Sequence, residues 1–339
     1  MIDDTPVYDF NQVLFVPTIT SLNSRKEVNL ERTITFSNGT KWTGVPIISA
    51  NMYTTGTFEV HKELAKFKML TALHKFYTLE HFDQNIENID PEYCIVSSGI
   101  RDVDYELLCN ILDKYTQLKW ICIDIANGYI PNMIQFCKKV RTKYPNHIII
   151  GGNVATPDMT AELCKYVDIV KIGIGPGSVC TTRKMTGVGF PQLSCIMNCS
   201  REAKKYEKMI VGDGGITCPG DVSKAFGGGA DFVMMGGVFA GHEENPGNMV
   251  IRGDKKFKQF YGMSSGLAMK THYGKQDNYR ASEGKVVEVP YKGYLKDTIQ
   301  EYLGGIRSTC TYINAKSLEE IPSKTNFIVV QNQLNNIYS

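Results

Sequence analysis

The chain has 339 residues, 42% hydrophobic and 21% charged, the make-up of a globular protein and not of a disordered one. Its 37 basic and 35 acidic residues leave a formal charge of +2, which gives no electrostatic footprint for nucleic acid or an anionic membrane. There is no run of about 20 apolar residues to span a bilayer, and the acidic opening MIDDTPVYDF does not read as a secretory leader. Ten scattered cysteines without a CxxC pair argue against a zinc site or a disulfide scaffold, and for the reducing cytosol. Most of them are expected to be small buried hydrophobes.

Eight short apolar runs follow in order: VPIISA (45–50), MLTALH (69–74), YCIVSSG (93–99), WICIDIA (120–126), HIIIGGNVA (147–155), IVKIGIG (169–175), MIVGDGGI (209–216) and FVMMGG (232–237). Each is nearly continuous, as parallel strands buried on both faces should be. Helical patterns separate them, such as FEVHKELAKF and PNMIQFCKKVRTKY. Successive runs begin 24, 24, 27, 27, 22, 40 and 23 residues apart, the length of one β-α unit. Eight such units predict an α/β fold, a single-domain (β/α)8 TIM barrel over residues 1–339. An open doubly wound sheet is the alternative; the count of eight and the lack of a GxGxxG turn after the first run favour the barrel. Two intervals are long. One follows the sixth run and holds GPGSVCTTRKMTGVGFPQLS; the other, residues 241–294, follows the eighth and precedes LKDTIQEYL. Barrel enzymes keep their chemistry in loops at these strand ends.

The sixth run leads into Gly173, Gly175, Pro176, Gly177, Ser178, Cys180, Thr182 and Arg183. Close-spaced glycines let backbone N–H groups approach a ligand. Arg183 would favour a thiolate at Cys180, and Thr182 could pass a proton; a glycine-rich turn around a packed cysteine is the plainer reading. The seventh run ends Asp213-Gly214-Gly215 and the eighth Gly236-Gly237, where barrels often hold phosphate. Pro219 and Asp221 then open a helix whose N-terminus favours an anion. Asp213 could bind ribose hydroxyls, although simple tight turns would also explain the glycines. Asp124 and Asn127 end the fourth strand, at the barrel mouth or as caps. His74 and Lys75 close the second, where a solvated rim pair is the bland alternative. In residues 241–294, the YRASEGK segment (279–285) suits a surface loop or one that closes over a ligand.

The run GIGPGSVCTTRKMTGVGFPQ resembles the active-site loop of the inosine monophosphate dehydrogenase / GMP reductase family. NSRKEVNL, VPIISANM, ALHKFY, CIDIANGY, GDGGITCPGDV, YGMSS, YRASEGKVVEVPYKG and GGIRSTCTY extend the likeness over nearly the whole chain, in order. Dehydrogenases of the family usually insert two regulatory nucleotide-binding modules between the second and third strands; here that interval is only residues 76–92. They also carry an arginine-tyrosine pair in a mobile flap, where this chain reads YRASEGK. Both features, and CTTRKMTGVGFPQLS, resemble the reductase branch.

The resemblance implies NADPH-dependent reductive deamination of GMP to IMP and ammonia. Cys180 would attack C2 to form a thioimidate, with Thr182 and Glu283 serving the departing ammonia. Ser178, Asp213, Gly214, Gly215, Gly236, Gly237, Gly262, Met263, Ser264, Arg280, Ala281, Ser282 and Gly284 match nucleotide-binding positions. Ser24, Arg25, Lys75, Asp124, Ile125, Ala126, Ile174, Gly175, Met263, Tyr279 and Arg280 match positions that contact the dinucleotide. Ser308, Thr309, Cys310 and Thr311 match a segment reaching a neighbouring subunit's cofactor, as in the family's homotetramers. Gly175, Gly177, Cys180 and Arg183 match a site for a monovalent cation, potassium. A cytoplasmic enzyme without nucleic-acid or membrane partners is implied. Where the family commonly reads NMDT, this chain has Asn51-Met52-Tyr53-Thr54, a phenol in place of an acid. An IMP dehydrogenase lacking the insert, and a catalytically impaired nucleotide-binding homologue, are the competing expectations.

Overall fold

A computed structural model describes residues 2, 4–262 and 284–331. Eight parallel strands follow in chain order: β1 (Lys41–Ser49), β2 (Met69–Leu73), β3 (Cys94–Ser98), β4 (Trp120–Asp124), β5 (Ile148–Val154), β6 (Ile169–Ile172), β7 (Met209–Asp213) and β8 (Phe232–Met235). Val233, Met234 and Met235 of β8 pair with Ile47, Ile48 and Ser49 of β1, closing the sheet into the (β/α)8 barrel. Around it stand α1 (Phe58–Ala65), α2 (Leu79–Asn85), α3 (Asp102–Lys114), α4 (Pro131–Lys143), α5 (Pro157–Cys164), α6 (Gln192–Lys204), α7 (Pro219–Gly227) and α8 (Leu295–Tyr312).

Closure explains the continuous apolar runs. Along β5, Ile148 and Ile150 belong to the interior cluster with Trp120, Cys122, Ile169, Val211, Phe232 and Met234. Ile149, between them, packs outward among the helices with Ile121, Ile123 and Val170. Every strand residue therefore meets apolar neighbours, whichever way it points. Trp42, Trp120 and Phe232 plug the barrel interior with rings 5.6–6.0 Å apart. Eight of the ten cysteines are buried, Cys180 and Cys218 are half-buried, and none of the ten is in a disulfide.

β1 begins before the predicted run, because Lys41–Gly44 pair antiparallel with Arg32–Thr35 in a hairpin turned at Gly39. A strand at Val13–Phe15 pairs with Phe327–Val329, joining the two ends of the described chain. Between β2 and β3 stand only α2 and a 3-10 turn, Ile86–Asn88. Among the described residues no helix is long and apolar enough to cross a membrane.

Both long connections leave the carboxyl ends of strands. After β6, residues 173–181 run as an irregular loop into a short helical turn, Thr182–Thr186. The described part of the segment after β8 is more ordered than its sequence suggested. It contains a three-stranded antiparallel sheet of Met249–Arg252, Lys255–Tyr261 and Val286–Pro290. Gly253, at φ +59°, makes its first turn. Val179 of the β6 loop packs with Phe260, Val287, Val289 and Ala240, so this sheet clamps the loop that carries Cys180.

Candidate active site

The strand ends open onto a cavity of about 640 Å³, a size typical of small-molecule sites. Its floor is a polar network among otherwise apolar strands. Lys171, on β6, is 3% exposed. Its Nζ donates to Asp124 Oδ1 at 2.9 Å, Asn153 Oδ1 at 2.7 Å and Asp213 Oδ2 at 2.5 Å. Asn51 Nδ2 donates to Asp124 Oδ2 at 3.0 Å, and Asn153 Nδ2 to Asp213 Oδ2 at 2.8 Å. Burial alone would push the Lys171 ammonium down, but the carboxylates of Asp124 and Asp213 outweigh it and hold it above the ordinary lysine value. Burial likewise works to raise Asp124; Lys171, with Lys75 and Asn51, brings it below the ordinary carboxylate value. The charges persist at neutral pH because they satisfy one another.

Gln192, at the start of α6, is fully buried and donates to the carbonyls of Ile172 and Asp213 at 3.0 Å each. It thereby ties together the ends of β6 and β7. The next residues past β7, Gly214 and Gly215, have φ of +85° and +81°. That backbone, which favours glycine, brings the turn against Pro176 of the β6 loop. A Cβ on Gly237 would come 2.7 Å from Ser178 Oγ, so the glycine lets the β8 end lie against the same loop.

Cys180 is half-buried on the cavity wall. Its N–H donates to Gly177 O at 3.0 Å, and its Sγ lies 3.2 Å from Thr182 Oγ1. Its backbone pairs with Gly284, and Lys285 N–H donates to Val179 O at 3.0 Å. The thiol is thus aimed at the cavity by chain on both sides. A half-buried thiol beside a hydroxyl, above a carboxylate and glycine-rich strand ends, suits nucleophilic attack on a polar, anionic ligand.

Of the residues singled out in the sequence, the cavity gathers Lys75, Asp124, Ile125, Ala126, Ile174, Gly175, Gly177, Ser178, Cys180, Thr182, Asp213, Gly214, Gly215, Gly236, Gly237 and Gly262. Met263, Ser264, Tyr279, Arg280, Ala281, Ser282 and Glu283 lie outside the described residues. Arg183 is turned to other work: it meets Asp9 Oδ2 at 3.2 Å and donates to Phe190 O at 2.6 Å. Asp221 accepts from the N–H and hydroxyl of Thr217 at 2.9 and 2.7 Å, and Asn127 accepts from Tyr129 N–H at 3.1 Å. Both serve local turns. Ser24 caps the exposed turn Arg25–Glu27, which packs on α8, the helix bearing Ser308, Thr309, Cys310 and Thr311. None of these six lines this chain's cavity. The Cys310 side chain faces the core, where burial pushes its thiol up to about 12. His74 is buried, not a solvated rim residue; it stacks on Tyr77 at 3.8 Å and Tyr53 at 5.3 Å, and Tyr53 stacks also on Tyr261. The phenol at position 53 is held by rings where an acid would have sought donors.

Sequence reading missed Lys171, Asn153, Asn51 and Gln192. The signal for Lys171 was present: a lone lysine inside the apolar run IVKIGIG requires a buried partner.

The sequence profile of the IMP dehydrogenase / GMP reductase domain matches residues 7–335. The human protein named GMP reductase 2 is 51% identical over 344 residues, covering all of this chain and 98% of that protein. The GMP reductase of Tolumonas auensis is 52% identical over 334 residues, 97% of this chain and 96% of the relative. Mouse GMP reductase 1 is 50% identical over 335 residues, 97% of each.

Proposed function

The chain belongs to the IMP dehydrogenase / GMP reductase family, and on that premise we propose that it is a GMP reductase, converting GMP and NADPH to IMP, ammonia and NADP⁺. The observation that carries this reading is Cys180: a half-buried thiol within 3.2 Å of the Thr182 hydroxyl, on a cavity that also holds Asp213 and two glycine pairs.

Asp213 has Oδ2 engaged by Lys171 and Asn153, and no hydrogen bond to Oδ1 among the described residues. Oδ1 is thus available to accept ribose hydroxyls. The N–H groups around Gly214, Gly215, Gly236 and Gly237 suit the phosphate. With the nucleotide so held, the Cys180 thiolate attacks C2 of the purine, and the 2-amino group leaves as ammonia. Thr182 and Glu283 carry the proton that this departure needs. Gly284, next in the chain after Glu283, pairs with Cys180, which supports Glu283 in this role. NADPH, when bound, supplies the hydride that C2 of the thioimidate accepts. Expulsion of the Cys180 thiolate then gives IMP.

Lys75, Asp124, Ile125 and Ala126 line the cavity opposite Asp213's strand end, and fit a polar cofactor head. Ser24, Arg25, Ser308, Thr309 and Thr311 would meet a neighbouring subunit's cofactor in a homotetramer; their grouping away from this chain's own cavity supports that assignment. Carbonyls of Gly175, Gly177 and Cys180, in one tight loop, are a donor set suited to potassium, with Arg183 closing the same loop. The near-neutral charge and reduced thiols support a cytoplasmic protein.

The test is GMP-dependent oxidation of NADPH with matching release of IMP and ammonia. Reduction of NAD⁺ with IMP in its place would mark a dehydrogenase. Tight GMP binding with no Cys180 adduct in a single turnover would mark a binding homologue.

A further inference from the structure

The ammonium of Lys171 has three donors, and the structure directs each to a different strand. Asp124 lies on β4 at 2.9 Å, Asn153 on β5 at 2.7 Å and Asp213 on β7 at 2.5 Å. Beyond them, Asn51 after β1 holds the other oxygen of Asp124 at 3.0 Å. The network thus joins residues from five strand ends across the barrel mouth. Burial leaves the ammonium almost no water, so its three N–H groups are met by these three converging acceptors, which together fix its position. It spans the carboxylate that takes the nucleotide ribose and the one that meets the dinucleotide in the reading above.

We infer that Lys171 is a positioning residue that couples the two subsites. Its ammonium fixes Asp213 relative to Asp124, and so sets the register between nucleotide and cofactor. A ligand drawn onto either carboxylate pulls on the ammonium that it shares with the other, so each ligand favours the network geometry that the other needs. The inference rests on the GMP reductase reading and gives it a device for aligning C2 with the hydride.

Charge neutralisation and positioning separate in Lys171→Arg. Arginine keeps the positive charge, but its planar fork cannot direct three donors from one nitrogen to three strands. GMP binding is titrated calorimetrically with and without saturating NADP⁺, which has no hydride to give, so that no turnover follows. In the unsubstituted protein NADP⁺ should tighten GMP by about fivefold or more, and Lys171→Arg should bring that factor to within about twofold of unity. kcat should fall by about 10²-fold or more, as expected for a displacement on the order of 1 Å, while KM for GMP moves much less. Asn153→Ala removes one acceptor from the ammonium and should give intermediate coupling, an independent test should the arginine variant fail to fold. An unchanged coupling factor in either folded variant, or no coupling in the unsubstituted protein, overturns the inference. Failure of the unsubstituted protein to oxidise NADPH with GMP instead overturns the functional reading, and with it the inference.

Discussion

The Cys180 sulphur and the Thr182 hydroxyl stand 3.2 Å apart, on a loop whose two residues are joined by a single intervening threonine. The contact puts a proton-carrying hydroxyl beside the proposed nucleophile before any ligand arrives. Thr182 also begins the helical turn Thr182–Thr186, which fixes its backbone relative to the thiol.

Cys180→Ala should abolish turnover and leave GMP binding in place. In the proposed reaction the thiol does covalent work, whereas the glycine turns and Asp213 hold the nucleotide. Steady-state assays paired with equilibrium binding check this, and turnover close to that of the unsubstituted protein would remove Cys180 from the mechanism.

Asp213→Ala should weaken GMP binding by about 1.5–3 kcal/mol, the range for hydrogen bonds to a charged group. Asp213 also accepts from Lys171 and Asn153, so the loss should extend to thermal stability. A Kd for GMP unchanged within error would show that this carboxylate does not meet the ribose.

Glu283→Gln keeps the side chain's shape but cannot transfer a proton. Deamination should slow by about 10²–10⁴-fold, the usual worth of general acid–base catalysis. Hydride transfer, isolated by running IMP and NADP⁺ backwards in a single turnover, should suffer less. Equal loss in both steps would make Glu283 a binding residue; loss in neither would send the proton path elsewhere.

The fold should weaken as pH falls from 6.5 towards 4. Burial lowers both His61 and His242 from 6.5 to about 4, and His61 Nε2 accepts the Asp90 N–H at 3.0 Å. Within that window the unfolded chain binds protons that the folded chain refuses, so stability present above 6.5 is lost on acidification. A shift of this size is worth about 3 kcal/mol per histidine. Melting temperature against pH should therefore slope upward from 4 to 6.5, and His61→Gln should flatten the slope. An identical slope in the variant would assign the acid sensitivity to other groups.

The eight strands were legible because a closed barrel leaves its strands no polar face. Ile149 points to the helices and Ile148 and Ile150 to the interior, yet all three must be apolar. The β6 loop was legible because its glycines, Cys180 and Thr182 are neighbours in the chain, so their proximity needs no tertiary contact. The segment after β8 was less so. Its sheet depends on pairing Lys255–Tyr261 with Val286–Pro290, across an interval that local pattern does not bridge. Tyr53 could be seen to depart from the family, but only the fold brought His74 and Tyr261 against its ring.

By itself, then, the sequence determined the strand count, the strand ends and the residues those ends carry, all properties of local order. Tertiary structure alone decided which side chains meet. Asn51, Asp124, Asn153, Lys171 and Asp213 are spread over 163 residues and converge only because β8 pairs with β1. In isolation each is a polar residue at the end of an apolar strand. Barrel closure leaves Lys171 almost no water, and there a lysine must find carboxylates to remain charged.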